Sequence, residues 1–153
     1  MQFAPKQAVL TLTDAQKKKV ENMGRFITTM YINDLTFVNF SDAQAQNVPN
    51  INILFSYGAY LQNEQMMQLA AYVGKKYQYT LKPSALFLKS GNYPKLGREL
   101  MLLSMLPKYQ KTAAVEPKTE DAYLENSQIM VASNKNWFVA AKGGNNAESH
   151  NHN

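Results

Sequence analysis

The chain has no cysteine, only two histidines and two arginines, and no long apolar run among its 153 residues. Without cysteine it can form neither a disulfide framework nor a thiolate metal site. No stretch reaches the roughly 18 consecutive apolar residues that a membrane-spanning helix needs. The first residues also lack the charged and apolar regions of a signal peptide. We therefore expect no membrane span. If the protein is exported, we expect that a signal peptide has been removed from this chain.

The composition is that of a folded globular protein. Hydrophobic residues make up 45% and charged residues 18% of the chain, which is far from the disordered class and fits one ordinary domain by length. Nucleic-acid binding is not expected. Arginine is scarce, no nucleic-acid motif is recognisable, and the basic residues do not alternate with aromatic residues in a stacking pattern.

Positive charge is concentrated between residues 75 and 111. This segment holds eight basic residues and one acidic residue, Glu99, so its net charge is +7 in a chain whose formal net charge is +5. Such a tract attracts polyanions such as acidic polysaccharides, or it is simply a solvated helical surface. The basic residues are Lys75, Lys76, Lys82, Lys89, Lys95, Arg98, Lys108 and Lys111.

Helical signals begin near the N-terminus. Thr13 followed by Gln16 is a capping-box pattern, and a helix is predicted from about 14 to 33. Apolar residues at three- and four-residue steps predict one buried face on this helix. That face consists of Val20, Met23, Ile27 and Met30.

A helical hairpin is predicted next. Pro49 suits the first turn of a helix over 51–61, and Asn63 suits the N-cap of a second helix that continues through Val73. The segment MMQLAAYV within this second helix is expected in the core, because unbranched methionine fills irregular gaps between helices.

A further helix is predicted from Asn92 as its N-cap to Met105. We expect Pro107 to stop this helix, since proline lacks the N–H group that helix continuation requires. The segment MLLSML at 101–106 is expected to be core for the same reason as the earlier methionine-rich segment.

The pattern changes after a polar linker at 108–121. QIMVAS at 128–133 and NWFVAAK at 136–142 are short β-prone runs separated by Asn134 and Lys135, and they predict a β-hairpin. Helices followed by strands indicate two domains, or one domain and the opening of another.

The last residues carry the candidate chemistry. In an extended strand, Glu148, His150 and His152 would project from one face while Asn151 faces away. Imidazole nitrogen is a good zinc ligand, and a His-x-His pair could supply two ligands of a tetrahedral site. The alternative from these residues alone is a tail with no site, because two ligands do not complete one.

The string NWFVAAKGGNNAESHNHN at 136–153 resembles the segment that opens the β-sheet domain of heparinase II/III-like polysaccharide lyases. FVNFSDA at 37–43 and the methionine- and leucine-rich helices are similar to the closing part of the α/α toroid that precedes this domain in the family. The resemblance implies a mainly α fold: antiparallel helical hairpins of an incomplete toroid at 1–115, then a linker and the first strands of a β-sandwich at 116–153.

The resemblance also implies an activity. Family members cleave uronic-acid-containing polysaccharides, heparin-like or alginate-like, by β-elimination. It implies that His150 is catalytic, that Asn146 and Glu148 bind substrate, and that His152 is a ligand of a structural zinc. A periplasmic or secreted enzyme is implied as well.

Some positions depart from the family pattern. Asn145 stands where the family commonly has histidine, and the Asp expected directly after Asn153 is not in this chain. No upstream residue aligns with the family's catalytic tyrosine or its Asn/His pair. Gly143 and Gly144 indicate a sharp turn or a close backbone approach, or a simple loop.

We therefore expect this chain to be part of a larger lyase, to be inactive by itself, and to associate with itself or with the rest of the parent polypeptide. The alternative is a non-catalytic helical module that binds an acidic partner.

Overall fold

The computed structural model describes residues 12–77 and 100–144, except 102. This part combines four helices with two small antiparallel sheets, so the fold is mixed α and β rather than clearly the predicted mainly α class. The helices are α1 (Asp14–Thr29), α2 (Ile51–Leu61), α3 (Glu64–Lys76) and α4 (Leu106–Lys111). The strands are β1 (Tyr31–Asn33), β2 (Thr36–Phe37), β3 (Ala122–Leu124), β4 (Ile129–Ser133) and β5 (Phe138–Lys142), with a 3-10 turn at Glu125–Ser127.

Helix α1 begins at the predicted capping box. The Gln16 amide N–H donates to Thr13 Oγ1 at 3.3 Å, and the Thr13 N–H donates to Gln16 Oε1 at 2.9 Å. The helix ends at Thr29 rather than near 33, because the chain turns into β1. Met23, predicted on the buried face, is 70% exposed, so that assignment is wrong for this residue.

A small hairpin, β1–β2, replaces the predicted end of the first helix. Asp34 and Leu35 form its turn with φ of 44° and 60°. This is the left-handed conformation, which residues other than glycine rarely adopt. Leu35 is nevertheless buried in the core. The surrounding contacts must therefore hold this turn in place.

Helices α2 and α3 form the predicted hairpin, with the predicted N-cap at Asn63 and an N-cap at Asn50 that was not predicted from the sequence. Asn50 Oδ1 accepts the Ile53 N–H at 3.1 Å, and Asn63 Oδ1 accepts the Met66 N–H at 3.0 Å. Because Asn50 is the N-cap, Pro49 lies before the helix. The prediction that Pro49 lies in the first turn is therefore wrong. The MMQLAAYV segment in α3 is largely buried, as expected.

The α2–α3 contact depends on Gly58. A Cβ atom at this position would lie 2.8 Å from Met66 Cβ and 3.1 Å from the Met67 backbone nitrogen. Met67 N is a backbone atom of α3 and Met66 Cβ is bonded directly to that backbone, so neither atom can move away by a side-chain rotation. The two helices therefore approach closely only because residue 58 has no side chain.

We predict that Gly58→Ala destabilises the protein by about 2 kcal/mol. Overpacking of about 3 kcal/mol outweighs the gain in helix propensity of about 1 kcal/mol. Urea denaturation measures the difference, and Tyr60→Ala, at an exposed position of the same helix, should stay within about 0.5 kcal/mol of wild type. A Gly58→Ala protein as stable as wild type would contradict the close approach.

One helical segment ends just before Pro107, and helix α4 starts around this proline. Residues 100, 101, 103 and 104 are helical, a turn follows at Met105, and Pro107 lies in the first turn of α4. Proline is tolerated there because first-turn N–H groups have no partner within the helix. The helix predicted to reach Met105 therefore ends before Pro107, as expected, but the prediction did not include the new short helix that begins there. Met101 and Leu103 are also substantially exposed, contrary to their expected core position.

Tyr109 fixes α4 against the helical hairpin. Its ring meets that of Phe55 edge to face, with centroids 5.1 Å apart. A Cβ atom at Gly74 would collide with the Tyr109 hydroxyl. Tyr109 thus lies against both α2 and α3, and it places the neighbouring lysines of α4 beside the end of α3.

The three remaining strands form one antiparallel sheet in the order β3-β4-β5. The β4–β5 hairpin is as predicted, but its turn extends from Asn134 to Trp137 rather than over two residues. Asn134 Oδ1 accepts the N–H groups of Asn136 and Trp137, both at 2.9 Å, which stabilises this longer turn. Strand β3 lies at an edge of this sheet, between the predicted linker at 108–121 and the first predicted strand.

The inner face of this sheet joins the hydrophobic core. Ile129 and Val131 of β4 are buried in the same hydrophobic cluster as Phe55 of α2 and Leu69 of α3. The predicted boundary between domains 1–115 and 116–153 stays a prediction. No helix in the part of the chain described is long and apolar enough to cross a membrane.

Candidate functional site

The predicted catalytic motif directly follows β5, where the chain makes a close turn. The Gly143 N–H donates to the Gln128 carbonyl at 2.8 Å, and a Cβ at Gly143 would lie 3.2 Å from Gln128 Oε1. Gly144 has φ of +116°, which favours glycine. Gly144 therefore lies at a bend whose positive φ suits glycine, whereas a side chain at Gly143 would closely meet only the end of the flexible Gln128 side chain and no backbone atom.

The four predicted site residues lie beyond this turn and outside the described residues. They are Asn146, Glu148, His150 and His152. Among residues 12–77 and 100–144, no group of three or more His, Asp or Glu side chains could hold a metal ion. The predicted zinc site, which depends on His152, therefore stays a prediction.

A groove lies between α1 and the segment from β3 through the 3-10 turn, and we call it the α1–β3 groove. Its volume is about 900 Å³. Lys19, Asn22, Phe26 and Thr29 contribute from α1 at helical spacing, so one stripe of the helix forms a wall. The opposite wall is formed by Asp121, Ala122, Tyr123, Leu124, Glu125, Asn126 and Ser127.

A cluster of hydrogen bonds around Tyr31 and Glu116 supports the turn between β1 and β2. The hydroxyl of the fully buried Tyr31 donates to Glu116 Oε1. The same carboxylate oxygen accepts the Asp34 N–H at 2.7 Å, while the Leu35 N–H donates to Tyr31 Oη at 3.3 Å. Thr119 Oγ1 also donates to the Tyr31 carbonyl. We call Tyr31, Glu116 and the two turn N–H groups the Tyr31 clasp.

Burial and the neighbouring carboxylate both keep Tyr31 protonated. Burial raises the pKa of the Tyr31 hydroxyl well above its ordinary range, and the hydrogen bond to Glu116 raises this pKa further. Burial followed by the charge of Glu116 also raises the pKa of Tyr72. A tyrosine held in the neutral form inside the core is a structural donor here, not a general base.

Half of the predicted basic tract lies in the part described. Lys75, Lys108 and Lys111 are exposed at the ends of α3 and α4. Lys76 pairs with Asp34 of the turn and lies 5.8 Å from the centre of the Tyr72 ring. Three of these lysines are therefore exposed at the ends of α3 and α4, and the fourth pairs with the β1–β2 turn.

Sequence reasoning missed both the groove and the Tyr31 clasp. The clasp joins residues 82 and 85 positions apart, and an isolated Tyr or Glu gives no local signal of such a contact. One signal for the groove was available: Lys19, Asn22 and Phe26 form a mixed polar and aromatic stripe on α1. Such a stripe is unusual for a helix face that is only solvated.

Comparison of the chain with protein-family models and with curated proteins gives no match.

Proposed function

We propose that this chain belongs to a polysaccharide lyase that cleaves uronic-acid-containing polysaccharides by β-elimination. In this proposal the helical hairpins are the closing part of an α/α toroid, and the β3–β5 sheet opens a β-sandwich domain. The catalytic tyrosine and its partners would come from polypeptide outside these residues, so the chain alone would be inactive. A periplasmic or secreted location accompanies this proposal.

One observation supports the proposal most directly. Strand β5 and the turn at Gly143 and Gly144 run straight into the NNAESHNHN string. The string therefore follows an ordered strand that is hydrogen-bonded to β4. A motif attached to a sheet in this way can be held more accurately than one at the end of an unsupported chain.

The chemistry assigns a role to each proposed residue. Removing the proton beside a uronate carboxylate requires that its charge be neutralised and that the developing enolate-like anion be stabilised. His150 would donate to this carboxylate or take part in proton transfer, while Asn146 and Glu148 would orient the sugar. His152 would hold a structural zinc whose other ligands lie outside the described residues, and zinc would fix the local fold.

The activity test is the ultraviolet absorbance of the unsaturated product. The complete parent protein should generate this absorbance with one or more uronate polymers and none with neutral polymers of the same length. The isolated 153-residue chain should generate none with any polymer. Absence of product from the whole panel of acidic glycans with the complete protein would contradict the proposal.

The second candidate is a helical module that binds an acidic partner without catalysis. The exposed lysines favour it, because the contact of Tyr109 with Gly74 brings the end of α3 beside α4. In this case the chain binds acidic glycans without forming product, and affinity falls steeply with added salt. Exposed apolar residues such as Leu100 and Met101 also support association with another polypeptide surface.

A further inference from the structure

The α1–β3 groove has walls of opposite charge. Lys19 and Arg25 lie on the α1 side, and Asp121 and Glu125 lie on the other side. The formal charges therefore cancel across the groove. A groove of this kind gives no long-range attraction to a polyanion or a polycation, unlike the lysine surface at the ends of α3 and α4.

The charged groups of the groove remain free to bind a ligand. Neither Lys19 nor Arg25 forms an ion pair within residues 12–77 and 100–144. Asp121 Oδ1 accepts the Ser133 N–H at 2.8 Å, so its second oxygen can accept another donor. Carboxylates accept hydroxyl protons, and lysine and arginine donate to hydroxyl and ring oxygens.

Each wall also exposes an aromatic ring. Phe26 on α1 is 46% exposed and Tyr123 on β3 is 65% exposed, and both line the groove. One asparagine lies on each wall, Asn22 and Asn126, and an asparagine amide both donates and accepts hydrogen bonds. The groove thus combines apolar ring surfaces with groups that exchange hydrogen bonds in both directions.

We propose that the α1–β3 groove binds an uncharged saccharide chain, with its hydroxyls on the amides and carboxylates and its C–H faces on Phe26 or Tyr123. Sugars present apolar faces and hydroxyls that donate and accept, which matches the lining. A peptide that adds a strand to the β3 edge is the alternative occupant, and the test includes a peptide to distinguish it from a saccharide. This site is separate from the proposed lyase chemistry and does not depend on His150.

Isothermal titration of the 153-residue chain with a neutral hexose hexasaccharide tests this proposal. We expect saturable binding whose Kd is nearly equal at about 0.01 M and about 0.15 M salt, because the groove carries no net charge. Tyr123→Ala should weaken binding about tenfold through loss of the ring contact. Asn22→Ala, at an exposed helical position, should also weaken binding while preserving the fold.

Trp137→Ala is the matched control. Trp137 is 72% exposed and does not line the groove, so its removal should leave the Kd unchanged. Equal weakening by Trp137→Ala and Tyr123→Ala, or no saturable binding of the neutral sugar, would overturn the proposal. So would binding restricted to a hexuronate of the same length and lost at the higher salt, or binding only of a peptide of alternating lysine and glutamate. The absorbance assay for lyase activity is independent of all these results.

Discussion

Replacing His150 by alanine in the complete parent enzyme is expected to lower turnover on its uronate substrate by about 10²- to 10³-fold. This is the range of effect when one preorganised donor to a developing anion is removed. Substrate affinity should change much less, since the interaction would strengthen only as negative charge develops. Initial rates of unsaturated-product formation over a series of substrate concentrations separate the two effects.

Asn151→Ala is the control for this substitution. If the motif continues as a strand, Asn151 projects from the opposite face to His150 and should contribute little to turnover. His152→Ala should lower the zinc content and the thermal stability of the enzyme. It should not slow the chemical step directly. Full turnover in a His150→Ala enzyme would remove the main support for the proposed lyase activity.

Local signals were sufficient for the elements whose ends are fixed by their own side chains. The capping box at Thr13 and the asparagine cap at Asn63 bond to N–H groups within one helical turn. Short-range chemistry of this kind is readable from spacing alone. The β4–β5 hairpin was equally accessible, because its two strands are consecutive and β-prone.

The missed elements depend on contacts between distant parts of the chain. Strands β1, β2 and β3 have two or three residues each, too few to show a period of two. The turn at Asp34 and Leu35 contains no glycine from which its positive φ could be predicted. The carboxylate that accepts its Asp34 N–H belongs to the distant Glu116. For the candidate site, the terminal motif was readable as a string, whereas the groove required the packing of α1 beside β3.

The Tyr31 clasp leads to the second prediction. Glu116→Ala is expected to lower the free energy of unfolding by about 3 kcal/mol, because the buried Tyr31 hydroxyl and the Asp34 N–H lose their shared acceptor. Glu120→Ala, at an exposed position of the same segment, should change it by less than about 0.5 kcal/mol. Chemical denaturation monitored by far-ultraviolet circular dichroism gives both values.

A double-mutant cycle with Tyr31→Phe identifies the contact itself. If the hydroxyl and the carboxylate stabilise each other, the combined loss should be smaller than the sum of the single losses by about 1 kcal/mol. Strictly additive losses would mean that Glu116 acts only through the Asp34 N–H. In that case the clasp would consist of a supported turn without a contribution from the tyrosine hydroxyl.

The raised pKa of Tyr31 adds a pH dependence with a definite sign. An unfolded tyrosine ionises near pH 10, whereas burial and then the Glu116 hydrogen bond keep the folded Tyr31 protonated above that pH. The stabilisation is therefore complete below about pH 10 and declines as pH rises further, since only the unfolded state then releases its proton. Tyr31→Phe should flatten this alkaline decline. An unchanged slope in the Phe variant would assign the decline to three partly buried tyrosines whose pKa values burial also raises, Tyr57, Tyr72 and Tyr109.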